Sequence, residues 1–145
     1  MSSEPSADRN GSNQRDEAHD QVVVTKSSPW SVADTVARLS ATVAARGMKV
    51  YAVIDHSDEA RRAGLELRDT KLFIVGSPSV STAAIARAPL AALDLPLRVV
   101  VWEDAYQTKV SYPSPEGVAR RYGLDSELAG ALDSIDTVIS AVVDR

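Results

Sequence analysis

"LPLRVVVWEDAYQTKVSY", residues 95–112, decides the fold class. Its first half is an apolar, β-branched run entered at Pro96, and proline is tolerated where a strand starts. "AYQ" is a tight connection, too short for a crossover, so "TKVSY" must turn back and pair with the strand it follows. Two strands joined in this way are antiparallel.

Moving toward the N-terminus, "TKLFIVG" (70–76) is a further strand with a continuous apolar centre. "VSTAAIARAPLAALD" between the two reads as a short helix and an irregular return. "KVYAVIDH" is another strand, and alternation puts Val50, Ala52 and Ile54 on one face with Tyr51, Val53 and Asp55 on the other. "SDEARRAG" is a polar turn or helical turn ending at Gly64. "QVVVTKS" is the first strand, broken by "SPW". From Ser31 the period changes: Val32, Val36, Leu39 and Val43 recur at helical spacing, with Ser31 as N-cap, Asp34 as a weak capping-box partner and Gly47 as the stop. Beyond the hairpin, "SPEGVARRYG" is a helical turn started by Pro115. Leu128, Leu132, Ile135, Ile139 and Val142 stripe one final amphipathic helix.

The order is β-α-β-β-β-β-α with short helical insertions. Strands form a block instead of alternating with helices, which predicts an α+β two-layer sandwich: a mainly antiparallel sheet with helices on one face. Phe73, Val75, Val99 and Val101 belong to strands with too many apolar positions for a sheet wet on one side, so a second copy of the chain is expected to cover it.

Residues 1–20 contain no Val, Ile, Leu or aromatic residue. They have nothing to bury against the entropy of ordering, and a disordered tail holding a solvated His19 is expected there, followed by a single domain over 21–145. The chain carries a net charge of -4, of which the tail holds -3. The rest is nearly neutral, which argues against nucleic acid and anionic membrane as partners. Arg61, Arg62, Arg68 and Lys71 form a local basic cluster, read as a solvated face. Cysteine is absent, which excludes disulfides, thiol catalysis and thiolate metal sites. With no apolar leader region and no run approaching the ~20 residues of a membrane span, the expectation is a soluble, cytoplasmic protein.

"IDH", "AGLELR", "TKLFIVGSP", "APLAALDLPLRVVVWED" and "VSY" occur in the order and approximate spacing of the domain-of-unknown-function family numbered 302, which the chain resembles over about residues 21–143, most specifically from Asp55 to Tyr112. The resemblance implies a TATA-box-binding-protein-like α/β sandwich and a homodimer. By that likeness His56 matches the family's histidine after the second strand, Gly64 and Arg68 its glycine and arginine, and Gly76 and Pro78 its Gly-Asn-Pro turn, with Ser77 in place of asparagine. Asp94, Leu95 and Pro96 match its Asp-Leu-Pro, and Tyr112 its tyrosine. Asp69 stands where proline is usual and Ser81 where a second turn glycine is usual, so the loop after Gly76 departs from the pattern. The family carries no agreed activity to transfer.

The candidate ligand-binding residues are His56, Arg68, Gly76, Ser77, Asp94 and Tyr112. Histidine is the side chain suited to acid–base work near neutrality, but Asp55 beside it points to the opposite face of the strand, and the alternative is a histidine bonded to a loop carbonyl. Arg68 has the planar fork for a carboxylate or phosphate; the alternative is an ion pair with Asp69, Glu66 or Asp94. Asp94 can close a turn before Pro96. "VGSPSVST" lacks the glycines and Lys-Ser/Thr of a phosphate loop, yet its free amides can hold a small anion. Trp102 and Tyr112 suit either a pocket wall or the core. No metal-ligand spacing, nucleophile elbow or cofactor motif is recognisable, so no metal and no cofactor are expected. Three readings follow: a homodimeric small-molecule-binding module, a structural or protein-interaction domain without ligand, and an enzyme using His56 as acid or base.

Overall fold

The computed structural model describes residues 22–144; the expected tail with His19 lies outside them. The elements are β1 (Val23–Ser28), α1 (Val32–Ala45), β2 (Lys49–Asp55), α2 (His56–Arg62), β3 (Thr70–Gly76), α3 (Pro78–Arg87), a 3-10 turn (Pro89–Leu93), β4 (Leu97–Asp104), β5 (Gln107–Pro113), α4 (Pro115–Arg121), α5 (Ser126–Leu132) and α6 (Ser134–Val143). The five strands form one antiparallel sheet in the order β1-β5-β4-β3-β2. This is the α+β arrangement expected from the sequence, with β2 through β5 as a meander and β1 returning to the far edge.

The β4–β5 connection is a two-residue turn closed by the Asp104–Gln107 pair. Its central residues, Ala105 and Tyr106, both have positive φ, 50° and 70°. That is the primed turn whose twist suits a hairpin, here without the usual glycine.

Phe73 and Val75 of β3, Val99 and Val101 of β4, and Val110 and Tyr112 of β5 point from one sheet face into the core. Leu39 and Val43 of α1, Ala84 of α3, Leu132 of α5 and Ile135, Val138 and Ile139 of α6 complete it. Ser31 caps α1 by accepting the Asp34 amide at 3.0 Å, and Gly47 leaves the helix at φ 72°. Thr35 is buried where the helical stripe predicted only apolar groups; its hydroxyl is paired with that of Ser28 at 2.7 Å.

Two local expectations need correction. The pairing of β2 with β3 slips between Val50 and Ala52. Val50 lies opposite Val75 and Val53 opposite Phe73, so these two share the core-side face, while Ala52 and Ile54 lie opposite Ile74 and Leu72 on the other. A bulge at Tyr51 thus breaks the simple alternation. The final helix is also two helices, interrupted at Asp133. There the Ser134 hydroxyl donates to the Ala131 carbonyl at 2.8 Å and the Asp136 amide bonds the Asp133 carbonyl at 3.0 Å, so local polar bonds tighten the turn. The apolar stripe survives the break because every predicted stripe residue remains buried.

Candidate functional site

The site candidates fall at separate places. His56 is the exposed first residue of α2. Asp55 is the N-cap: its Oδ1 accepts from the Ser57 hydroxyl at 2.6 Å and the Asp58 amide at 2.9 Å, and its Oδ2 lies 3.4 Å from Lys71 Nζ. The Ser57 hydroxyl foremost, then the Asp58 amide and Lys71, hold the Asp55 carboxyl down at about 2. Lys71 is raised in turn, chiefly by donating to Asp69 at 2.8 Å. Asp55 therefore organises the helix start and the neighbouring strand end, and its oxygens are committed away from His56. Arg68, exposed like His56, faces Asp104 at 3.5 Å, a different carboxylate from the three expected.

Gly76 and Ser77 lie at the opposite end of β3, about 20 Å from Thr70 along an extended strand. Asp94 ends the 3-10 turn and accepts from Arg121 at 3.2 Å and from the Tyr122 hydroxyl, which ties that turn to α4 in place of a local turn bond. That same contact with Asp94 is the main cause of a raised Tyr122 phenol. Tyr112 is 2% exposed and its hydroxyl donates to Asp136 of α6. Burial foremost, then Asp136, push its phenol well above the ordinary tyrosine range. Of the six candidates, Gly76 and Ser77 are brought together on one hollow; His56 with Arg68, Asp94 and Tyr112 are not on it.

That hollow lies between the end of α1, the start of α3 and the α5–α6 break. A surface recess of about 330 Å³ is lined by Arg46, Gly47, Met48, Ser77, Val80, Ala131, Ser134 and Val138. It shares Met48, Ser77, Val80, Ala131 and Ser134 with an inner cavity of about 20 Å³ that reaches Gly76, Ser81, Leu95 and Ile135. Sequence reasoning passed over Arg46 and Ser134; Ser81 entered it only as the end of the polar turn after Gly76, standing where glycine was expected.

The second feature is the sheet face away from the core. By register Ile54, Leu72, Val100, Ser111 and Thr25 form one row across it, and Ala52, Ile74 and Arg98 another. Trp102 lies on the same face and donates from Nε1 to Ser111 Oγ at 2.9 Å. Apart from the buried Ser111 these residues are half-buried or exposed, and Val23 at the edge is 61% exposed. The residues named from sequence for this role, Phe73, Val75, Val99 and Val101, face the helices; their neighbours Leu72, Ile74 and Val100 are the uncovered set. A shallow hollow of about 200 Å³ around Arg98, Val100 and Leu72 marks the middle of the face. Among the described residues, no helix is long and apolar enough to cross a membrane.

Comparison with known proteins gives the same architecture. The crystal structure of an uncharacterized conserved DUF302 protein from Bacillus stearothermophilus superimposes with a TM-score of 0.70 at 20% identity, covering 84% of this chain and 95% of that one. Fluoride-specific ion channel FluC 1 of Brucella suis biovar 1 (strain 1330) is 36% identical over 113 residues, 76% of this chain and 44% of the channel protein. The same-named protein of Brucella abortus biovar 1 (strain 9-941) is also 36% identical over 113 residues, 42% of its length. The chain therefore spans less than half the length of these curated relatives. With the family profile matching residues 24–142, the chain belongs to the family described as domain of unknown function DUF302.

Proposed function

We propose that this chain is a homodimeric pairing module whose open sheet face joins two copies. The observation that carries it is the apolar row Ile54–Leu72–Val100 on a face that the described helices leave uncovered. Five strands about 4.8 Å apart, each with about six residues at ~3.3 Å, make a face of roughly 24 by 20 Å. Two such faces bury on the order of 1,000 Å², the lower bound for a specific interface. Arg98 stands at one end of the β4 row and Trp102 at the other. A two-fold axis crossing the strands near Val100 keeps the two Arg98 charges apart and sets each guanidinium over the Trp102 end of the other copy, a favourable cation–aromatic contact.

The two Brucella relatives are ion channels by name, and they share with this chain under half their length. We assign the ion path to the remainder of those proteins and the shared portion to pairing of their subunits. The cytoplasmic location expected from the sequence is kept for this chain.

Light scattering tests the reading. At about 20 μM, a concentration at which micromolar affinity suffices, the wild type is expected to be a dimer. Leu72→Lys and Ile74→Asp, both on the open face, are expected to give folded monomers with unchanged far-ultraviolet circular dichroism. A monomeric wild type, or a dimer that survives both substitutions, overturns it.

A further inference from the structure

We propose that the hollow beyond Gly76 binds a small hydroxy-substituted monocarboxylic acid, its carboxylate at Arg46 and the start of α3, and its hydroxyl at Ser81 in the inner cavity. The site is independent of the pairing face.

Ser81 is the first observation. The residue is only 7% exposed. Its amide bonds the Ser77 carbonyl at 2.9 Å, but its hydroxyl makes no hydrogen bond among the described residues and lines the inner cavity. No fully buried side-chain oxygen among the described residues lacks a partner, so the unpartnered Ser81 hydroxyl is reached by solvent through the cavity, where it is free to bond an occupant that displaces water. The cavity, about 20 Å³, has room for one oxygen atom. Gly76 keeps that room open: a Cβ there would sit 3.5 Å from Ser81 Oγ and 3.4 Å from Pro96 Cβ, filling the gap without a clash.

Charge supplies the second observation. Ser77, the N-cap of the ten-residue α3, gives it no side-chain cap, and Pro78 follows. The first-turn amides and the positive helix end therefore remain available to an anion. Arg46 lines the outer recess and forms no ion pair among the described residues. Between these polar ends the walls are apolar: Met48, Leu95 and Ile135. At ~30 Å³ per atom, the recess of about 330 Å³ holds a ligand of on the order of ten non-hydrogen atoms.

4-Hydroxybenzoate meets this description, and isothermal titration of the full chain with 4-hydroxybenzoate, benzoate and phenol tests it. 4-Hydroxybenzoate is expected to bind at least fivefold more tightly than either fragment. Ser81→Ala is expected to reduce it to the affinity of benzoate, Arg46→Gln to weaken both carboxylates at least fivefold but not phenol, and Gly76→Ala to abolish binding. Ser81→Ala is also expected to leave the melting temperature of the ligand-free protein unchanged or higher, since its hydroxyl has no partner to lose; a fall would assign Ser81 to the scaffold and overturn the site. No saturable binding of 4-hydroxybenzoate up to about 10 mM, weaker than the millimolar affinities of simple metabolite sites, or binding indifferent to Ser81→Ala and Gly76→Ala, also overturns it. Leu72→Lys separates the two proposals: it is expected to break the dimer and leave this binding intact.

Discussion

Replacing Ala105-Tyr106 by Asn-Gly is expected to stabilise the protein. Both residues are held at positive φ, 50° and 70°, where an L side chain crowds its own backbone at about 1 kcal/mol or more per residue. Tyr106 is 98% exposed, so its ring contributes no packing that the change would remove. Relief at two positions amounts to about 2 kcal/mol. Glycine returns up to ~1 kcal/mol of that by giving the unfolded chain more freedom. The net gain is about 1 kcal/mol, which for a domain of this size raises the melting temperature by roughly 3–5 °C. Calorimetry on the wild type and the double variant measures the shift, and urea unfolding is expected to show a higher midpoint with an unchanged slope. Tyr106→Ala is the control: it removes the ring and leaves the backbone demand in place, so it is expected to give no gain. A melting temperature that stays level or falls in the Asn-Gly variant would refute the claim of strain in this turn.

Asp55→Ala is expected to cost about 1 kcal/mol at neutral pH, as N-caps commonly do. Because the folded carboxyl titrates at about 2, below its value in the unfolded chain, that contribution is present above about pH 4. It is lost as the pH falls toward 2. The difference in urea midpoint between wild type and variant should therefore shrink across this window; solvent screening of a partly exposed group keeps it near 1 kcal/mol. Tyr112→Phe removes the hydroxyl that donates to Asp136 and is expected to destabilise by about 1 kcal/mol. The raised phenol contributes stability below the ordinary tyrosine range that fades as the pH climbs through its folded value, so absorbance titration of the variant should lose the most alkaline tyrosine.

The strands were legible because β3 and β4 carry unbroken apolar centres and the hairpin connection leaves only one way back. Helix α1 was legible from its stripe and from Ser31 and Gly47 at its ends. The bulge at Tyr51 was hidden because it belongs to the pairing of two strands, while alternation is read from one. The break at Asp133 was hidden because Leu132 and Ile135 continue the apolar stripe across it. The site was harder for a related reason. His56, Arg68 and Gly76 follow one another in the chain, but an extended strand carries the last of them far from the first two. Ser81 was visible only as a departure from a turn pattern, since whether a hydroxyl finds a partner depends on Gly76 and Pro96 beside it.

The placement of β1 at the edge beside β5 has a consequence for synthesis on the ribosome. Strands β2 to β5 each pair with the strand next made, so the meander can assemble as it emerges, with only short loops to close. Strand β1 is translated before all of them, yet its partners run from Pro113 to Thr108. It must wait, unpaired, until most of the chain has been made, and its docking closes the longest loop in the sheet. Until then β5 offers the nascent chain a bare edge, the kind of surface on which neighbouring chains pair by mistake. Slow elongation past residue 113 would lengthen that exposure, and a chaperone that shields strand edges would act on this protein late, at the arrival of β5.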